Sequence, residues 1–138
     1  LEYLLEKEAD PNEYMPDGDS ILLGVIRMGF LSCVELLYKY KVDIHHKRKD
    51  ERNALYTAVE HSHPEIVMFL LEKGADPNIE GPNKETPLHL SLRKGDEWIS
   101  RILLFGGSGI EKKDKEGEST KDLAKKNSNL KQIVDPIK

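Results

Sequence analysis

The sequence predicts an all-α solenoid, in which helix–turn–helix units stack in one direction and are joined by extended hairpin turns. Three observations predict it. Similar residues recur at an interval of 33, as in Leu22, Leu55 and Leu88 (55−22 and 88−55). Each interval holds two helix-start and two helix-stop signals. Charged residues make up 33% of the 138 and hydrophobic residues 38%, a polar balance that suits an elongated stack better than a compact globule.

The period runs through the chain without insertion. Leu4, Leu37, Leu70 and Leu103 keep it, as do Asp10, Asp43 and Asp76, and Gly29, Ser62 and Gly95. Ser20, Asn53, Thr86 and Ser119 form a further column. The clearest copy reads "TPLHLSLRKG": Thr86 and Pro87 open a helix and Gly95 closes it. "HPEIVMFLLEKGADPN" opens a second helix on Pro64, carries Ile66, Val67, Phe69, Leu70 and Leu71 at helical spacing, and closes on Gly74. The spacing predicts helices over 21–29, 31–40, 54–62, 64–73, 87–94, 97–106, 120–127 and 130–134. It also predicts a core that includes Leu22, Ala58, Val67, Leu70, Leu88 and Leu103. One domain covers 1–138: a partial unit over 1–12, repeats over about 13–45, 46–78 and 79–111, and a closing unit over 112–138.

The strings "TPLHLSLRKGD" (86–96) and "EIVMFLLEKGADPN" (65–78) resemble the ankyrin repeats. Weaker copies are "SILLGVIRMG" (20–29), "CVELLYKYKVDI" (33–44), "NALYTAVEHSH" (53–63) and "LEYLLEKEADPN" (1–12), and "DKEGESTKDLA" (114–124) resembles a terminal repeat. The resemblance covers essentially the whole chain. It implies an ankyrin-repeat solenoid and, as function, protein–protein interaction rather than catalysis.

Composition excludes several other readings. A formal net charge of −4 and a pI near 5.8 do not favour nucleic acid or an anionic membrane. No apolar run approaches the roughly 18 residues that a membrane span needs. A single cysteine, Cys33, forms no internal disulfide and fits a reducing intracellular compartment, cytoplasmic or nuclear. The chain opens in mid-pattern without Met, and Leu1, Leu4 and Leu5 would present an apolar stripe, so at least one further repeat is expected before it. At the other end polar residues stand where internal repeats carry Leu and Val, with Gln132 on the Ile66 column and Lys131 on the Glu65 column, and Pro136 stops a helix, as a cap would.

The motifs that suggest chemistry have structural readings. Thr86 and His89 are expected to be hydrogen-bond partners within a turn, because they sit at repeat columns. His45 and His46 fall on a hairpin, His61 on an exposed helix side and His63 in a turn between helices, without the ligand spacing of a metal site, so no metal and no cofactor are expected. "GGSGIE" (106–111) lacks the Lys-Ser/Thr of a phosphate loop. Its Gly107 falls on the Gly74 column, where positive φ is wanted, and Gly109 replaces the side chain of Asp76, so a looser loop is expected there. Cys33 shares the column of Ile66 and Ile99 and is expected in the core.

The expected function is binding of another protein, an acidic or phosphorylated segment, on a concave face made by the hairpins and the first helices. Candidate helix positions are Arg27 and Met28, Glu60 and His61, Arg93 and Lys94, then Lys126 and Asn127. Candidate hairpin positions include Tyr14 and Asp17, Lys47, Lys49 and Arg52, Asn83 and Glu85, and Lys113 and Lys115. Trp98, in a column otherwise held by Ser32 and Glu65, is a candidate anchor on the opposite, helical face. Arg93 and Lys94 read as exposed, so their reversal to glutamate is expected to leave the fold intact. Two alternatives are a targeting arm of a larger effector, enzyme or channel, and a structural spacer.

Overall fold

The computed structural model describes residues 2–7, 9–16, 18–126 and 131. Among them the helices are α1 (Glu2–Glu6), α2 (Ile21–Met28), α3 (Leu31–Lys39), α4 (Ala54–Glu60), α5 (Pro64–Glu72), α6 (Pro87–Lys94), α7 (Glu97–Phe105) and α8 (Thr120–Lys125). Helices α2 to α8 match the spacing to within two residues at each end, and α1 had no expected range. Of the expected helix over 130–134 only Lys131 is described, and it is helical; Leu1, Asp17, Asn127, Gln132, Pro136 and the side chains of Leu4 and Leu5 lie outside the described residues.

The helices form two layers. In one, α2 packs on α4, α4 on α6 and α6 on α8; in the other, α3 packs on α5 and α5 on α7. Each helix thus buries side chains against its own partner and against the next unit. Leu22, Ala58, Val67, Leu70, Leu88 and Leu103 are all in the core. Cys33 is not: it is half-buried, whereas Ile66 and Ile99 on its column are buried. On its far side from α5, α3 has no neighbouring helix packed as closely among the described residues.

Each of the helices α2, α4, α6 and α8 begins just after a residue of one 33-residue column, and that residue caps it. Ser20, Asn53, Thr86 and Ser119 accept from the amides of Leu23, Tyr56, His89 and Asp122 at 3.2, 2.9, 3.3 and 3.1 Å. Two columns end helices in the left-handed region. Gly29, Ser62 and Gly95 have φ of 78°, 57° and 72°, and Lys41, Gly74 and Gly107 have 66°, 94° and 100°. The position demands the conformation even where the residue is not glycine. At Gly29 space matters too, since a Cβ there would lie 2.6 Å from the His63 ring.

The loop at 106–111 is held by other bonds than the expected Asp would make. Gly109 N donates to Asn78 Oδ1 at 2.7 Å, Ser108 Oγ to Pro77 O at 3.3 Å, and Thr120 Oγ1 to Gly109 O at 3.0 Å. Asn12 Oδ1 receives Asp43 N in the same register one end of the stack earlier, at 2.6 Å.

Candidate protein-binding face

Between the units the chain rises into four hairpin fingers, centred on 15–19, 48–52, 81–85 and 114–118. Each is closed by the same bond: Met15 N to Asp19 O, Arg48 N to Arg52 O and Gly81 N to Glu85 O at 2.8 Å, and Asp114 N to Glu118 O at 3.0 Å. Each turns through a left-handed residue in one column, Gly18, Glu51, Lys84 and Gly117. In the third finger Asn83 is left-handed as well. Its carbonyl accepts Lys115 N from the fourth finger at 2.9 Å, so adjacent fingers touch.

An ion pair recurs where each finger meets its helix, between residues eight apart (27−19). Asp19 pairs with Arg27 at 2.6 Å, Arg52 with Glu60 at 2.9 Å, Glu85 with Arg93, and Glu118 with Lys126 at 2.6 Å. The four pairs occupy the same two columns, with the signs exchanged in the second. Cross-links extend the row. Arg48 approaches Asp19 at 3.7 Å and Asp50 at 3.5 Å, Arg52 reaches Asp50 at 2.8 Å, and Arg93 also binds Asp114. Tyr56 Oη donates to Glu85 Oε1 at 2.7 Å, and His89 Nε2 donates to Glu118 O at 2.9 Å. The acceptor at Glu118 is a carbonyl, so the His89 proton sits on Nε2. Nδ1 is then left to accept from Thr86 N at 3.1 Å. Thr86 and His89 therefore form the expected turn, and His89 also ties it to the next unit.

The surroundings shift these groups in physically readable ways. Burial alone would push the Asp114 carboxyl up, but the Glu118 amide and the Arg93 guanidinium together hold it below the usual range. Asp19 is likewise lowered, by Arg27, the Ser20 amide and Arg48 against the opposing effect of burial. Burial, then the Glu60 charge, raises the Tyr56 phenol. The Glu60 carboxylate raises Arg52 further above its already high value.

The candidate residues thus divide. Arg27, Glu60 and Arg93 are joined to their own fingers, and Arg52 to its own helix. Lys94 Nζ donates to Val59 O at 3.1 Å, Glu60 O at 2.5 Å and Ser62 Oγ at 2.8 Å, closing the C-terminal end of α4. Arg93 and Lys94 are exposed as expected, but both also make bonds within the chain, so reversing them would remove structural contacts as well as surface charge. Lys47 donates to Glu80 O at 2.8 Å and lies 3.4 Å from Glu51. His61 stands 3.5 Å from Glu60.

Other candidates carry no such bonds. The ammonium groups of Lys49, Lys84 and Lys115 have no carboxylate partner among the described residues, and they stand on three successive fingers. Lys113 is exposed on the fourth finger and Asn83 on the third. Met28 is exposed at the end of α2. Lys84 was not among the sequence candidates. Its left-handed backbone turns it out at the fingertip, a feature its residue type does not signal.

Lys47, Lys84 and Lys115 line one open hollow of about 330 Å³ with Glu51, Glu80 and Asn83. Trp98 lies on the other face and is 62% exposed. Phe105, two turns along α7, is 92% exposed and was not among the sequence candidates, although its column otherwise holds Lys39 and Glu72. No group of three His, Cys, Asp or Glu side chains able to hold a metal occurs among the described residues. No described helix is long and apolar enough to cross a membrane.

The architecture is that of a stacked helical-repeat scaffold with hairpin fingers along one edge. A family profile described as "Ankyrin repeats (3 copies)" matches residues 1–81 and 23–116. The chain belongs to the ankyrin-repeat family, whose members are generally protein–protein interaction modules on a non-catalytic fold. It is similar to alpha-latroinsectotoxin-Lt1a of Latrodectus tredecimguttatus, 33% identical over 111 residues, covering 78% of this chain and 8% of the toxin. It is 29% identical over 109 residues to Ankyrin repeat and SOCS box protein 11 of Homo sapiens, covering 79% of this chain and 33% of that protein. Putative ankyrin repeat protein FPV222 of Fowlpox virus is 48% identical over 60 residues, covering 40% of this chain and 8% of the viral protein. The chain therefore spans a third or less of the length of these relatives.

Proposed function

We propose that the chain binds a partner protein on its concave face, with the fingertips rather than the helix ends making the charged contacts. The reading rests on one observation: the arginines of this face pair with carboxylates of the chain, whereas Lys49, Lys84 and Lys115 have no carboxylate partner among the described residues. A partner carboxylate at the arginines would have to displace an existing carboxylate. At the lysines it displaces only water. The partner chemistry this favours is an acidic or phosphorylated segment, and the single thiol of Cys33 suits a reducing intracellular setting. No catalytic role is assigned.

Affinity capture followed by mass spectrometry tests the reading. Partners retained by the wild-type chain should be lost from a Lys49→Glu/Lys84→Glu/Lys115→Glu variant and kept by a Trp98→Ala/Phe105→Ala variant. The reverse pattern would move the contact to the helical face. A second reading, that these repeats are the targeting arm of a larger protein, is favoured by the small share of its relatives that the chain spans. If neither variant changes any captured partner, a spacer role becomes the better account.

A further inference from the structure

Resting on the fingertip reading above, we infer that the hollow between the second, third and fourth fingers receives an extended acidic segment whose carboxylates recur at every third residue. Lys47, Lys84 and Lys115 enter that hollow from three successive fingers. Its own carboxylates are occupied, Glu51 by Lys47 at 3.4 Å and Glu80 by Lys112 at 3.8 Å. Lys84 and Lys115 have no carboxylate partner among the described residues, and Lys49 is exposed on the second finger.

The spacing follows from the stack. Helices packed side by side sit about 8–10 Å apart. The fingers rise from consecutive units and touch through the Lys115 N to Asn83 O bond of 2.9 Å, so they share that pitch. A chain in the extended polyproline II conformation advances about 3.1 Å per residue and returns its side chains to one side every third residue, so about three residues carry it from one finger to the next. A helical segment would need about six or seven residues for the same step, so glutamates three apart would fall between the fingers if the segment were helical.

Protein is favoured over nucleic acid as the occupant. The lysines are interleaved with Glu51, Glu80, Glu116 and Glu118, and the whole chain carries −4. Such a surface attracts a carboxylate placed between its own acidic groups. It repels a polymer that is charged at every step.

The test uses the full chain and two synthetic peptides of identical composition, read by fluorescence anisotropy. One has Glu at every third position with Ser and Thr between; the other has its glutamates contiguous. The spaced peptide should bind about tenfold more tightly, and the preference should fade on going from about 0.05 M to about 0.5 M salt. Lys84→Glu and Lys115→Glu, each checked for unchanged circular dichroism, should each weaken it by about tenfold, and Lys84→Gln by less. Equal binding of the two peptides overturns the inference, as does unchanged binding in the lysine variants. Equal or tighter binding of an oligothymidylate of matched charge overturns it too, and marks a general polyanion surface. If capture of a protein partner still depends on the lysines while the peptides are not distinguished, the spacing fails and the fingertip reading stands.

Discussion

Arg52 and Glu60 make the ion pair that Asp19 and Arg27 make one unit earlier, with the charges exchanged between finger and helix. The exchange makes the geometry, rather than either residue's sign, the feature that repeats. Arg52→Glu would set like charges together and should cost about 1 kcal/mol, modest because both side chains are partly solvated. Adding Glu60→Arg should recover most of the loss. Urea unfolding followed by circular dichroism gives both numbers, and a double-mutant cycle with no coupling would show that the pair is ornamental.

Arg93 is the most consequential cation of the row. It serves Glu85 and Asp114, whose side chain is 0% exposed. Arg93→Ala leaves that carboxylate buried beside only the amides of Glu116 and Glu118. A loss of about 2–3 kcal/mol is expected, below the cost for a fully buried pair because the guanidinium itself is partly exposed. Asp114→Asn in the same chain should reduce the loss. Lys94→Ala removes only a helix-end contact and should cost about 1 kcal/mol.

Acid should destabilise the stack within a narrow window. Asp19, Asp50 and Asp114 all titrate below their ordinary value of 3.8 in the folded chain. A depressed folded value means that the unfolded chain binds protons first as pH falls. The stability these groups contribute is thus full above about pH 5 and is lost as pH drops from about 4 through their lowered folded values. Urea midpoints should be flat between neutrality and about pH 5 and then fall. In Arg93→Ala the fall should be shallower, because one cation that depresses Asp114 is gone.

Lys41 holds φ of 66° at a position where Gly74 and Gly107 hold 94° and 100°. A side chain there carries a cost of about 1–2 kcal/mol that glycine escapes, partly offset by the greater freedom of glycine in the unfolded chain. Lys41→Gly should raise stability by about 0.5–1 kcal/mol, visible as a higher thermal midpoint.

Leu70 and Leu103 share a column and are both fully buried. Replacing either by alanine should cost about 2–5 kcal/mol. A loss under about 1 kcal/mol in equilibrium unfolding would mean that the stack closes over the cavity.

The helices, their caps and the core were legible because each rests on a position that returns every 33 residues. Leu88 is buried for the same reason as Leu22 and Leu55, and Ser62 adopts the backbone of Gly29 and Gly95. The charged face was read less well. Arg27 and Arg93 look like exposed cations when columns are compared by residue type. The signal was a joint one: opposite charges at 19 and 27, 52 and 60, 85 and 93, and 118 and 126. Those partners lie on a finger and on the far end of a helix, so neither helical nor strand periodicity brings them together. Lys94 and Asp114 were harder still, since their partners are backbone groups and a residue of the neighbouring unit. Phe105 carried a plain signal, a large apolar side chain in a column of Lys39 and Glu72.

Because each finger supplies the counter-charge for its own helix, electrical neutrality is settled inside every unit. Excising a unit, or splicing in another, would leave no stranded charge in those two columns. Position in the sequence is written elsewhere, in the contacts that reach over a boundary, Arg48 to Asp19 and Arg93 to Asp114. A reshuffled chain would therefore keep its modules whole and lose its seams.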